Sequence, residues 1–169
     1  MTESKLTPNQ LAFLALANEY CQALEGAAEA EKDEFVDAML RLLPRIYISA
    51  SDLPEPMMID EEAYIPQSLD EDYYESVRRS VEVLMGEDDT YLEVFEDDMK
   101  YSDTPIGASV AEGLADLFQV LYNLTEHARE STVDTILLSL DVAKEDFASY
   151  WSQPLCNVLR ALNAIKYQR

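Results

Sequence analysis

The stretch Thr7-Pro8-Asn9-Gln10-Leu11-Ala12-Phe13-Leu14-Ala15-Leu16-Ala17-Asn18-Glu19-Tyr20-Cys21-Gln22-Ala23-Leu24-Glu25-Gly26 carries a start, a face and a stop for one helix. Thr7 can cap, Pro8 suits the first helical position, and Gln10 can reach back as a capping box. Phe13, Leu16, Ala17, Tyr20, Cys21 and Leu24 then recur at three-and-four spacing, which is a helical period. Gly26 is a fitting stop.

The same grammar continues outward. A second helix begins near Glu31, with Phe35, Met39, Leu42, Leu43 and Ile46 on one face. Pro44 lies inside that pattern. A mid-helix proline loses one backbone hydrogen bond and clashes one turn back, at about 3 kcal/mol. A kink or break is expected at residues 41–44, with a further turn through Tyr47. Residues 50–67, with Pro54, Pro56 and Pro66, read as a long loop. Met57-Met58 could pin it to the core or form a soft contact surface.

Ser68-Leu69-Asp70-Glu71 reads as another capping box, with Tyr74, Val77, Val81, Leu84 and Met85 as the stripe and Gly86 as the stop. Residues 89–97 read as a short helix. A strand is the alternative, because Thr90-Tyr91 and Val94-Phe95 have β propensity. Thr104-Pro105 opens the next helix, striped by Val110, Leu114, Leu117, Phe118, Leu121 and Leu124. Gly113 within it suggests close approach by another backbone. Ser131 opens a long helix striped by Val133, Ile136, Leu137, Leu140, Ala143, Phe147, Tyr150 and Trp151, which Ser152-Gln153-Pro154 breaks, and a last helix comes after it with Leu155, Val158, Leu159, Leu162 and Ile165. Four glycines in 169 residues favour helix over sheet. The expectation is an all-α fold: one domain over 1–169, a bundle of six or seven helices with a long proline-containing loop.

Charge is unevenly spread over that frame. The chain carries −22, and residues 52–103 hold 18 of its 34 acidic residues with only Arg78, Arg79 and Lys100 as bases. Such a surface repels nucleic-acid phosphates and anionic membranes. A basic protein is the natural partner. Residues 1–5 show no export signal and no apolar run approaches a membrane span, so a cytoplasmic protein is expected. Cys21 and Cys156 each fall on an apolar stripe and read as core thiols. Composition does not set the oligomeric state.

No complete catalytic signature is present, and no catalytic residue or cofactor is assigned. His127, the one histidine, sits near a helix end where its positive form would suit the dipole. If residues 89–97 are helical, Asp89, Glu93 and Asp97 form one row in which like charges repel. Asp97 and Asp98 then also meet the unfavourable end of the dipole. Together with Tyr91 and Tyr101, these are the candidate binding residues, on an acidic face spanning residues 70–103. Tyr64 and Tyr73 border the same region, whereas Tyr20, Tyr122 and Tyr150 fall on core stripes. Arg41, Arg45 and Arg160 lie beside apolar stripes, where they could meet a carboxylate.

A magnesium site is the alternative reading of the same carboxylates. Glu93-x-x-Glu96, followed by Glu112 and Asp116, resembles the pattern of all-α nucleoside triphosphate pyrophosphohydrolases of the MazG-like family. Their second pair is spaced E-x-x-D, one residue shorter than Glu112 to Asp116. Both spacings keep two side chains on one helix face, and oxygen ligands suit magnesium. No basic cluster is evident to hold a triphosphate.

Four segments carry a broader resemblance: Leu40-Arg41-Leu42-Leu43-Pro44-Arg45-Ile46-Tyr47 with Leu53-Pro54; Tyr91-Leu92-Glu93-Val94-Phe95; Leu114-Ala115-Asp116-Leu117-Phe118-Gln119-Val120-Leu121; and Tyr150-Trp151-Ser152-Gln153 with Leu159-Arg160-Ala161-Leu162. Together they resemble the domain-of-unknown-function family 5063 over roughly residues 8–165. That resemblance implies a small helical domain of a bacterial cytoplasm. It brings no activity, cofactor or catalytic residue.

Overall fold

A computed structural model describes residues 5–56, 63–93 and 106–168. Among them are six α-helices: α1 (Pro8–Glu25), α2 (Lys32–Ser51), α3 (Glu71–Met85), α4 (Val110–Arg129), α5 (Val133–Asp146) and α6 (Ser152–Tyr167). Two short strands, β1 (Thr90–Glu93) and β2 (Ile106–Ser109), pair antiparallel, with Thr90 opposite Ser109 and Glu93 opposite Ile106. The expected helical fold is present.

α4 is the central element and packs against α1, α3 and α6, while α2 lies across α1 and α6. The stripes read from the sequence supply the core: Phe13, Tyr20, Met39, Ile46, Leu114, Phe118, Leu121, Trp151 and Leu162 are buried. Each such side chain contributes about 1.5–3 kcal/mol on leaving water. Polar groups that enter the core are bonded. The Tyr20 hydroxyl donates to the Leu114 carbonyl at 2.6 Å, and the Trp151 indole N–H donates to the Ala143 carbonyl at 3.2 Å.

Local starts follow the expected chemistry with some shifts of place. At α1, Thr7 and Gln10 exchange side-chain and backbone hydrogen bonds as a full capping box. α3 is capped by Asp70, whose carboxylate accepts the Tyr73 N–H, and not by Ser68. The Ser68 and Leu69 N–H groups instead donate to the Asn123 side chain on α4, which ties the loop to the bundle. α5 is capped by Thr132 rather than opened by Ser131.

Several expectations are corrected. α2 runs unbroken through Pro44 to Ser51, because Leu42, Leu43 and Ile46 on both sides of the proline are held in the core. Residues 90–93 form a strand, the alternative reading, and not a helix; residues 94–97 lie outside the described residues. A 3-10 turn (Gly86–Asp89) leads into β1, where pairing with β2 satisfies the backbone that a helix would otherwise bond. α4 starts at Val110 behind Ser109 and not at Thr104-Pro105, because residues 106–109 are committed to β2.

The chain between α5 and α6 passes through a π-helical segment, Phe147–Trp151, instead of breaking at Pro154. Pro154 is accommodated in the first turn of α6, directly after the π segment, within a continuous helical path. The wider π turn brings Phe147 and Trp151 into edge contact and leaves Tyr150 51% exposed. Cys156 faces outward as well, while Cys21 is buried.

Candidate functional site

The acidic region comes apart into carboxylates with different duties. Asp89 is only 7% exposed. One oxygen accepts the Ser109 hydroxyl and the other accepts the Ala111 N–H, both at 2.7 Å. Ser109 in turn accepts the Glu112 N–H at 3.1 Å. Asp89 therefore sits on the N-terminal end of α4, where free N–H groups and the helix dipole stabilise a negative charge. Glu93 is 4% exposed on β1 and is also engaged, as are Tyr91 and Asp88. The supposed Asp89/Glu93/Asp97 helical row does not form, because Asp89 and Glu93 stand on a turn and a strand. Asp97, Asp98 and Tyr101 lie outside the described residues.

Two bases neutralise part of the surrounding charge. Lys32 at the start of α2 pairs with Asp88. Arg78 on α3 bonds Glu75 at 3.0 Å and Glu82 at 2.6 Å, one turn to either side. The Arg78 guanidinium holds the Glu75 carboxyl below the usual carboxylate range. What remains is an outer face of α3 and the turn after it with Glu71, Asp72 and Glu87 exposed. No basic side chain among the described residues pairs with those three.

The magnesium ligand set is not assembled by the residues that can be placed. Glu112 is exposed on the first turn of α4. Asp116, one turn on, accepts the Tyr74 hydroxyl at 2.6 Å. Burial, and then that bond to a carboxylate, push the Tyr74 phenol well above its ordinary pKa. Glu96 lies outside the described residues. Among the described residues, no group of three or more His, Cys, Asp or Glu side chains gathers as metal ligands.

The other singled-out groups are peripheral. His127 stands half-buried in the last turn of α4, and its carbonyl accepts the Ser131 hydroxyl. Arg41, Arg45 and Arg160 are exposed and do not enter the core margin.

A groove was not foreseen from sequence. It runs between the 25–32 connection and α3 and has a volume of about 860 Å³. Two ties fix its walls. Tyr73 near the start of α3 donates to Glu25, and Lys32 pairs with Asp88 just beyond the end of α3. The 25–32 connection is thereby stretched parallel to α3. Small residues (Ala28, Ala30, Ser76 and Ser80) alternate in its walls with charged ones that include Lys32, Glu75 and Arg79, and Val83 stands 78% exposed along one of them. A helical stripe locates Leu84 and Val81 but carries no sign that Val83, on the far face, borders a cleft.

Lys144 was also missed. It lies on the stripe with Leu140, Ala143 and Phe147 and is only 6% exposed. Its ammonium donates to the carbonyls of Ser51 at 2.7 Å and Ala50 at 3.2 Å, the last carbonyls of α2. Glu55 lies 3.6 Å from the same nitrogen. A lysine at an apolar stripe position was the available signal.

A family model described as "Domain of unknown function (DUF5063)" matches residues 4–168. The chain belongs to the DUF5063 family. Among solved structures, this DUF5063 chain is similar to the crystal structure of protein BF1032 from Bacteroides fragilis, at 31% identity and a TM-score of 0.82, over 96% of this chain and 94% of that one. No curated protein matches it. Among the described residues of this DUF5063 domain, no helix is long and apolar enough to cross a membrane.

Proposed function

We propose that this domain is a non-enzymatic, cytoplasmic interaction module that presents its acidic face, within residues 70–103, to a basic protein. One observation carries the reading. After Arg78 and Lys32 have neutralised their neighbours, Glu71, Asp72 and Glu87 still point into solvent with no basic side chain among the described residues against them. Exposed like charges raise the local potential and attract a cationic surface. Nucleic acid and anionic membrane are the wrong sign for it, and the role calls for no cofactor. The magnesium-dependent hydrolase reading has no comparable support, since Asp116 is engaged by Tyr74 and Glu112 stands in solvent.

A tagged-protein capture at low and moderate salt tests the role, with bound proteins identified. The expected partner is basic, is released as salt rises, and is lost on joint reversal of Glu71→Lys, Asp72→Lys and Glu87→Lys. Capture that ignores both salt and reversal removes the electrostatic basis. Glu93 is unsuited to this test because it is buried.

A further inference from the structure

We infer that the groove between the 25–32 connection and α3 receives an amphipathic, basic helix of the partner protein; this rests on the acidic-module reading above and assigns it a place and a shape. The groove follows α3 from Asp72 to Val83. Eleven residues of helix rise about 16 Å, which is three turns. Ala28, Ala30, Ser76 and Ser80 in its walls leave room for another helix, and Val83 offers an apolar contact that is 78% exposed.

Charge selects the occupant. Exposed Asp72 stands at one end of the groove, and exposed Glu31 at the other, beside the Lys32–Asp88 tie. Arg79, between them, is an exposed cation, and Glu75 beside it is already bonded by Arg78, so the acidic character of the groove lies at its two ends. The complementary helix therefore carries Lys or Arg at two positions about three turns apart, with small or aliphatic residues between them on the same face. A second copy of this chain is a poor fit, because each copy carries −22.

The probe is a synthetic helical peptide of Ala, Leu and Lys, with its lysines about three turns apart on the leucine face. A peptide of identical composition has its lysines on the opposite face. Binding is followed by fluorescence anisotropy, and the contact is mapped by amide chemical shifts. The expected result is that the first peptide binds at least ten-fold more tightly, with shifts at Ala28, Ala30, Ser80 and Val83. Val83→Ser and the pair Glu31→Lys with Asp72→Lys each weaken it at least ten-fold. Glu130→Lys with Asp134→Lys makes the same change of charge away from the groove and leaves binding within two-fold. Equal loss in that control, or shifts elsewhere on the acidic surface, overturns the groove while leaving the acidic module standing. Failure of both peptides to bind at low salt overturns both.

Discussion

The Asp89 carboxylate accepts the Ala111 backbone N–H at 2.7 Å from a nearly buried position. A residue from the most acidic part of the chain thus serves as a cap for the central helix. Asp89→Ala leaves the Ala111 N–H and the Ser109 hydroxyl without their acceptor. The expected loss is about 1–3 kcal/mol, read as a lower urea midpoint. Asp89→Asn keeps one acceptor oxygen and is expected to lose less. Equal stability of Asp89→Ala and the parent protein would contradict the capping role.

Gly113 on α4 faces Val158 on α6 so closely that an added Cβ would lie 2.4 Å from a Val158 methyl. Alanine is the better helix former by about 1 kcal/mol. Overpacking costs about 1–3 kcal/mol, and the contact is with a stiff, buried, β-branched side chain. Gly113→Ala is therefore expected to destabilise on balance. Adding Val158→Ala should cost less in the Gly113→Ala background than alone, a coupling that a double-mutant cycle measures.

Lys144→Met preserves most of the buried stem but removes the donor to Ala50 and Ser51. Two terminal carbonyls of α2 then lack this partner, and the expected cost is about 2–3 kcal/mol. Because the interaction is buried, the difference should persist at high salt. Faster amide exchange at the end of α2 would localise the effect. Unchanged exchange there would argue against the cap.

The two cysteines should react unequally. Cys156 is exposed and Cys21 buried, so a thiol reagent is expected to modify Cys156 alone in the native protein and both after unfolding. Burial pushes the Cys21 thiol from 9.0 up to about 12, despite an opposing hydrogen bond with Thr125. The unfolded chain therefore loses this proton first as pH rises. Stability from Cys21 is fully present below about 9 and declines towards about 12. Buried Tyr20 shifts in the same direction from 10.0. A Cys21→Ala variant should show a shallower alkaline fall in thermal midpoint, and an identical fall would remove Cys21 as a cause.

Much of the bundle is legible because helix stripes are periodic and their caps are local. Thr7 with Gln10 and Gly86 after α3 can be read from the chain, whereas Gly113 meets the Val158 side chain and not the expected second backbone. The acidic middle is harder. Residues 89–93 have both a repelling helical row and β-favouring side chains, and local preference does not decide between them. Their pairing partner, residues 106–109, is distant in sequence, so no local rule points to it. Tyr150 departs from its stripe because the π turn at Phe147–Trp151 rotates it, and a stripe read at constant period cannot register that rotation; Cys156 lies beside Leu155 at the edge of the α6 stripe and faces outward.

The order of residues alone determined where apolar faces recur, which side chains could cap them and how much negative charge the molecule must carry, because each depends on spacing along the chain or on counting. Only the folded arrangement decided that Asp89 would meet the start of α4, that Lys144 would close the end of α2, and that the 25–32 connection would stand beside α3 to leave a groove. Those outcomes join groups far apart in sequence, and packing of whole helices brings them within hydrogen-bonding reach.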